Sequence, residues 1–405
     1  MVSLPIYMDH HATTPTDPRV VDSMQPFFST KFGNPASRHH AFGWEARDAV
    51  DEARVQVSRL VGCDAREIVF TSGATESNNL AIKGCLKSVG RPARIVTVTT
   101  EHRAVLDPCR QLENEGVSVT YVRPRKDGLV DVKEIEKALT PETALLSVMA
   151  ANNEIGVLQP IAELSALARS YSVLFHTDAT QAVGKIPFSA RTLDVDFVSL
   201  SSHKIYGPKG VGALCIRRRK PRIPIKAMLD GGGHENGLRS GTLNVPAIVG
   251  FGRAAELCMT EMVEETSRIQ TLRDDLWRLL SAGLSGLKIN GSMERRLPQN
   301  LNFSVAGVDG EALLLGLDDV ALSSGAACTS THPEPSHVLL SLGLSERLAV
   351  ASIRFSLGRW NRADEVVYVV EKVKRLVCHL REMSQDEGPE SHVLHRIGYT
   401  GGENR

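Results

Sequence analysis

The sequence predicts an α/β fold on a mostly parallel sheet, from three observations. Short β-rich runs alternate with longer segments of helical period, the pattern of crossover units rather than hairpins. Clusters of small and polar residues close the runs at one end, where such sheets place their ligands. The chain of 405 residues, 42% hydrophobic, has enough apolar matter for a large core and two or three domains.

In chain order, strand runs lie at residues 67–71, 94–99, 117–122, 144–150, 172–178, 196–201 and 212–216. The polar closures are TSGATES after Phe70, TEH after Thr99, NNE after Ala151, DATQ after Thr177 and SSHK after Leu200. At residues 261–284 the pattern changes to one long amphipathic helix, with Met262, Ile269, Leu272, Leu276, Leu279 and Leu280 on one face. It leads toward strands near residues 300–305 and 353–357. The expected organisation is a large domain at 15–260 and a smaller α/β domain from 1–14 and 261–383. Residues 384–405 are polar and Gly-rich without helical period and are expected to form a mobile tail.

Lys+Arg 47 balance Asp+Glu 47, so no net field draws the molecule to nucleic acid or an anionic membrane. The basic run RRRKPRIPIK, residues 217–226, reads as a solvated loop, with an acidic partner as the alternative. Seven cysteines (Cys63, Cys85, Cys109, Cys215, Cys258, Cys328 and Cys378) are odd in number, scattered and without a C-x-x-C pair, which fits reduced thiols in a cytoplasmic setting. The N-terminal MVSLPIYMDHHATTP lacks a basic region followed by an apolar one, and no apolar run approaches the ~18 residues of a membrane helix. A soluble, untargeted protein is expected.

Four segments carry candidate chemistry. In EIVFTSGATESNNLAIKG a strand meets a turn at Ser72, Gly73 and Ala74 and then a helix, so free backbone N–H groups and the Thr75 hydroxyl converge where a phosphate binds; an ordinary capped turn reads as well. Asp178, at the end of an apolar strand, has the chemistry to hold a pyridinium nitrogen protonated, with a plain helix cap as the alternative, and Gln181 lies on the same side of a helical turn. Ser201, His203 and Lys204 precede a Gly-Pro turn, and a lysine beside cationic groups can lose its proton and form a Schiff base with an aldehyde. Spacing does not choose between Lys204 and Lys209. Cys328 sits among Ser, Gly, Ala and Thr, bounded by Pro333 and Pro335, in a stretch, 323–331, that suits a mobile loop better than a packed face.

Together and in this order, these segments resemble the cysteine desulfurases of iron-sulfur cluster assembly and related sulfur trafficking, a group within the class-V aminotransferases. The likeness runs from Tyr7 to about Arg359, through YMDHHATTPTDPRV, FGNPASRHH, TTEHRAVLD, NNEIGV, HTDATQAVGK, SSHKIYGPKGVGAL, GLRSGTLNV, SSGAACTS and SIRFSLGR. The resemblance implies the type I fold of pyridoxal-phosphate (PLP) transferases, with a seven-stranded sheet in the large domain, and PLP as cofactor. It implies that Lys204 bonds the PLP aldehyde, that His102 lies against the ring and moves protons, and that Asp178 and Gln181 contact the ring nitrogen and phenolic oxygen. Ala74, Thr75, Ser201 and His203 would bind the phosphate, and Thr242 would reach the phosphate of a neighbouring subunit, which requires a homodimer. Asn153 would touch cofactor and substrate, Arg354 would grip the carboxylate of L-cysteine, and Cys328 would take the sulfur as a persulfide, leaving alanine. No resident metal is implied, with Cys328 a candidate for transient ligation of an iron-sulfur cluster. The implied partner is a sulfur-acceptor protein such as an iron-sulfur scaffold. The tail after Ser384 does not match the docking segment of relatives that load such scaffolds. Rival readings are a selenocysteine lyase or an aminotransferase of the same fold, with Cys328 idle, and, from another class, an inert sulfur-relay scaffold that could dispense with Lys204.

Overall fold

The computed structural model describes residues 2–89, 93–324, 326–327 and 334–386. After the short N-terminal strand β1 (Ile6–Tyr7), the strands of the central sheet are β2 (Ile68–Thr71), β3 (Arg94–Val98), β4 (Ser118–Val122), β5 (Thr143–Ser147), β6 (Leu174–Asp178), β7 (Phe197–Ser201) and β8 (Gly212–Ile216). Their order is β2-β8-β7-β6-β5-β3-β4. Only β8 runs against its neighbours; the other pairings are parallel. All seven strand runs marked in the sequence are strands of this sheet.

Side chains alternate across the sheet. Ile68, Phe70, Val96, Val98, Val198 and Leu200 join the core that holds helix α1 (Ala41–Val61). Val69, Ile95, Leu145, Leu174, Phe197 and Leu214 join the core on the other face, which receives helices α2 (Ala74–Asn79, continued by a π-helical turn to Gly84) and α3 (Arg103–Asn114). Burial on both faces is why these runs are continuously apolar instead of alternating.

Helix α4 (Val245–Gly283) begins 16 residues before the start expected from periodicity, which was 261. Its first half buries Ala247, Ile248, Phe251, Ala254 and Ala255 in the α1 core, and Gly250 and Gly252 lie so close to neighbours that the apolar stripe widens and loses a clear period. The second half turns Ile269, Leu272, Leu276 and Leu280 into another core with Met8, Leu301, Phe303, Ile353 and Phe355. At 1.5 Å per residue the helix is about 58 Å long, enough to serve both cores.

The second core is covered by β9 (Leu287–Ile289), β10 (Asn300–Val305), β11 (Val320–Ala321), β12 (Ser323–Ser324), β15 (Ser352–Ser356) and helix α5 (Ala363–Asp386), while β13 (Ala326–Ala327) and β14 (Glu334–Pro335) form a separate pair. Its main sheet is antiparallel, in the order β12-β15-β10-β9, and β11 pairs with β1. Helix α5 runs to Asp386, into the stretch from Ser384 that was expected to lack helical structure; residues 387–405 lie outside the described residues.

Tyr206 sits where the two cores meet. The Lys185 ammonium lies 4.2 Å and the Arg359 guanidinium 4.3 Å from its ring centroid, and Arg359 pairs with Asp17 (2.6 Å) and Glu265 (2.8 Å). Among the described residues, no helix is long and apolar enough to cross a membrane.

Candidate active site

A cavity of about 710 Å³ opens at the carboxyl ends of β2, β6 and β7. Ten of the residues singled out in the sequence line it: Ala74, Thr75, His102, Asn153, Asp178, Gln181, Ser201, His203, Lys204 and Arg354. Lys209 also lines it, from an exposed position. Thr242 does not; it is exposed in the loop before α4. Cys328 lies outside the described residues. The stretch 323–331 was expected as a mobile loop, but part of it is strand: Ser323 pairs with Arg354, and Ala326–Ala327 pair with Glu334–Pro335.

The turn after β2 is built from close approaches. A Cβ on Gly212 of β8 would meet the Gly73 Cα at 2.7 Å and the Leu200 carbonyl oxygen at 2.5 Å, so a glycine there lets the turn settle on the sheet. Ser72 N donates to Glu76 Oε2 (2.7 Å), and Arg239 Nε donates to Glu76 Oε1 (3.0 Å). That contact caps one backbone group, while the N–H groups in the first turn of α2 lack partners inside the helix.

Asp178 closes β6, 7% exposed. Its Oδ1 accepts from Thr180 N (3.0 Å) and its Oδ2 from the Asn78 side chain (2.8 Å). The turn-capping role and the cavity-facing role therefore coexist in one carboxylate. Gln181 has both ends of its amide on His11: Oε1 accepts from Nδ1 (2.7 Å), and Nε2 donates to the His11 carbonyl (3.0 Å). This contact places the ring proton on Nδ1 and leaves the buried Nε2 as an acceptor without a partner among the described residues.

Lys204 Nζ donates to the carbonyls of His11 (2.5 Å) and Ala12 (2.6 Å). Burial, then the Arg354 charge, lowers its ammonium from 10.5 to about 8, with Asp9 and Asp178 acting against the shift. His203, whose Nδ1 lies 3.0 Å from Thr13 Oγ1, is pushed down to about 4 by burial and then by Lys204 and Lys209. His102 accepts from Ala104 N through Nδ1 (3.0 Å) as the cap of α3, and burial lowers its pKa also. These imidazoles are neutral near pH 7, and the Lys204 amine is within about one unit of losing its proton.

Arg354 donates to the Asn153 carbonyl (2.9 Å), to Asp9 Oδ1 (2.6 Å) and to Ser323 Oγ (2.6 Å), while its buried Nε has no partner among the described residues. Sequence reasoning missed the N-terminal strap that supplies Asp9, His11, Ala12 and Thr13 to this site. HHATT carries no strand-end or turn signature; it reaches the cavity because Thr14 bonds the His203 carbonyl and Asp9 bridges Ser356. It also missed Glu101, fully buried beside His102, whose carboxyl is raised well above its ordinary range by burial and then by the Asp178 charge.

The Aminotransferase class-V family profile matches residues 6–369. A cysteine desulfurase IscS of Anaeromyxobacter dehalogenans is 53% identical over 384 residues, covering 95% of each chain. Among solved structures, a NifS-like protein superposes with a TM-score of 0.86 at 38% identity, covering 93% of this chain and all of its own. A structure described as SspA in complex with cysteine gives 0.77 at 33% identity, over 88% of this chain and 100% of that one.

Proposed function

The chain belongs to the aminotransferase class-V family and is a PLP-dependent cysteine desulfurase, and we propose that it transfers the sulfur of L-cysteine to Cys328 with Lys204, His102 and Arg354 as its working groups. The observation that carries this assignment is the convergence of a lysine of lowered pKa, a buried carboxylate and a buried arginine on one cavity.

The cavity fits the cofactor. Its volume lies within the usual range for small-molecule sites, and its lining holds a lysine, a carboxylate, an amide and small hydroxyl groups, the types of group that a pyridoxal ring and its phosphate need. Lys204 would hold the aldehyde carbon, Asp178 the ring nitrogen and Gln181 the phenolic oxygen. Ala74, Thr75, Ser201 and His203 would hold the phosphate, with Thr242 from the second subunit of a homodimer. When bound, PLP supplies an electron sink that stabilises negative charge on the amino acid's α-carbon.

The chain's own groups do the rest. Arg354 binds the substrate carboxylate through a planar fork, and Asn153 borders both substrate and cofactor. Lys204, as a neutral amine, takes or returns a proton at Nζ, and His102 serves at Nε2, since its Nδ1 is committed to Ala104. Cys328 is the nucleophile toward the substrate sulfur. The balance is L-cysteine plus the Cys328 thiol giving L-alanine plus the Cys328 persulfide, with no external oxidant. An acceptor protein such as an iron-sulfur scaffold then takes the sulfur; the scattered cysteines point to a reducing, cytoplasmic setting.

The test is Cys328→Ala. The variant is expected to keep the PLP absorbance and to lose alanine formation, and mass spectrometry of the parent after cysteine treatment should find added sulfur on the Cys328 peptide. Undiminished alanine formation by the variant would sink the assignment.

A further inference from the structure

The central sheet carries a second group of reactive side chains at its other end. The chain leaves β2 into the cofactor turn at Ser72, and it enters β2 through Cys63–Glu67; four residues at about 3.4 Å each put these ends roughly 14 Å apart. At the entry, one ligand atom from each of Cys63, Glu67 and Cys215 lies within 4.8 Å of the other two. The geometry is imposed by the fold: Cys215 of β8 pairs in register with Ile68 of β2, Glu67 immediately precedes Ile68, and Cys63 follows the cap of α1. Cys215 is 2% exposed, and Cys63 and Glu67 are half-buried. Desulfuration has no use for any of them.

We propose that Cys63, Glu67 and Cys215 form a binding site for a thiophilic divalent cation of the zinc type, with two thiolates and one carboxylate as ligands and a fourth position left to solvent. The donor set selects the ion, because sulfur ligands favour zinc over magnesium or calcium, which take oxygen. Glu67 is already oriented: its Oε2 accepts from Asp64 N (2.8 Å) and its Oε1 from Arg218 N (2.6 Å). Such outer hydrogen bonds are what fix a ligating carboxylate, and each oxygen keeps a second lone-pair direction for the ion. Glu67 also lines a surface cavity of about 680 Å³ together with Arg54, Arg66, Arg217, Arg218, Arg219 and Arg222, while neither cysteine lines it. Those six guanidinium groups repel a free cation, but they offset the surplus negative charge once two thiolates and a carboxylate surround a dication.

Contact with the Cys63 thiol, then burial, holds the Cys215 thiol well above its ordinary range. Binding one Zn²⁺ forms two Zn–S bonds and releases two thiol protons to solvent, so affinity rises with pH. The sequence hides this site because its two cysteines stand on elements far apart in the chain. The competing view is a hydrogen-bonded thiol pair that binds nothing.

The test uses full-length, PLP-loaded protein in a Cys328→Ala background, which removes the acceptor thiol. It is titrated with Zn²⁺ against a chromophoric chelator of micromolar affinity near neutral pH. One equivalent per chain should be taken up with release of two protons, and X-ray absorption should find two sulfurs at about 2.3 Å and lighter ligands at about 2.0 Å. Cys63→Ser and Cys215→Ala should each weaken uptake by about 100-fold or more, above the loss expected for an outer-shell change. With Cys328 restored, both should desulfurate cysteine as the parent does. Equal zinc uptake by the variants, or none by the parent, overturns the site. Should Cys215→Ala fail to fold, the half-buried Cys63→Ser decides alone.

Discussion

Lys204 and Lys209 share a loop and a cavity, and burial separates them. Lys204 is held between two carbonyls of the N-terminal strap with its ammonium lowered to about 8, while Lys209 stands exposed. A lowered lysine pKa means that the native apoprotein sheds a proton that the unfolded chain still holds between about pH 8 and 10.5. Stability of the cofactor-free protein therefore rises with pH across that window instead of falling. The rate of PLP capture by cofactor-free protein should rise with a midpoint near pH 8 and vanish in Lys204→Ala; capture surviving in that variant points to Lys209. Arg354 supports a second expectation. Its fork is engaged by Asp9 and Ser323, so the substrate carboxylate enters a prepared site, and a lysine there reproduces the charge but not the planar geometry. Arg354→Lys should raise KM for cysteine by about tenfold, or ~1.4 kcal/mol, with a smaller effect on kcat. A change confined to kcat would count against a role in substrate binding.

Among the elements, α4 joins the two cores, and its glycines set how closely it can lie against α1. A Cβ at Gly252 would meet Ala53 Cα at 2.7 Å and Gln56 Oε1 at 2.3 Å, and the first of these is backbone that cannot swing away. Gly252→Ala gains helix propensity and loses packing; overpacking typically costs about 1–3 kcal/mol, above the ~1 kcal/mol gain from propensity. A lower urea midpoint with unchanged PLP absorbance is expected, and a raised midpoint would mean that the helices separate freely. The same glycines explain the misplaced start of α4, because small residues buried on a broad face do not generate a three-four period. The strands were easier to read, since a buried parallel strand is a continuous apolar run between polar closures, and all seven fall where those runs lie.

At the scale of the whole molecule, Thr242 is the residue that a single chain leaves without a role. It is exposed and outside the cavity, whereas the other cofactor-binding residues named from the sequence line it. If it completes the phosphate site of a second copy, sedimentation should give about twice the 44.1 kDa chain mass, and Thr242→Ala should weaken PLP retention without dissociating the dimer. A monomer that retains full cofactor and activity would remove that role. The joint at Tyr206 makes a separate expectation about acid. Hydrogen bonds from Arg19, with Arg359 helping, hold the Asp17 carboxyl down at about 2. Its stabilising contribution is complete above pH ~4 and is lost as pH falls through about 2. Arg19→Met should flatten that acid limb of the stability profile, measured by urea midpoints, more than Arg359→Met does.

The sequence by itself determined the fold class and the seven strands of the sheet, which are written locally, in apolar runs, small-residue turns and polar closures at strand ends. Of the ten named residues that line the cavity, His102, Asn153 and Arg354 were given roles only by the family resemblance. Tertiary structure alone decided that Lys204 is half-buried while Lys209 is exposed, that Gln181 is held by His11, that Asp9 engages Arg354, and that Cys63 meets Cys215. Each of these depends on segments remote in sequence being brought together by the sheet and the N-terminal strap, and on the desolvation that follows. Neither proximity nor desolvation leaves a periodic trace in the chain.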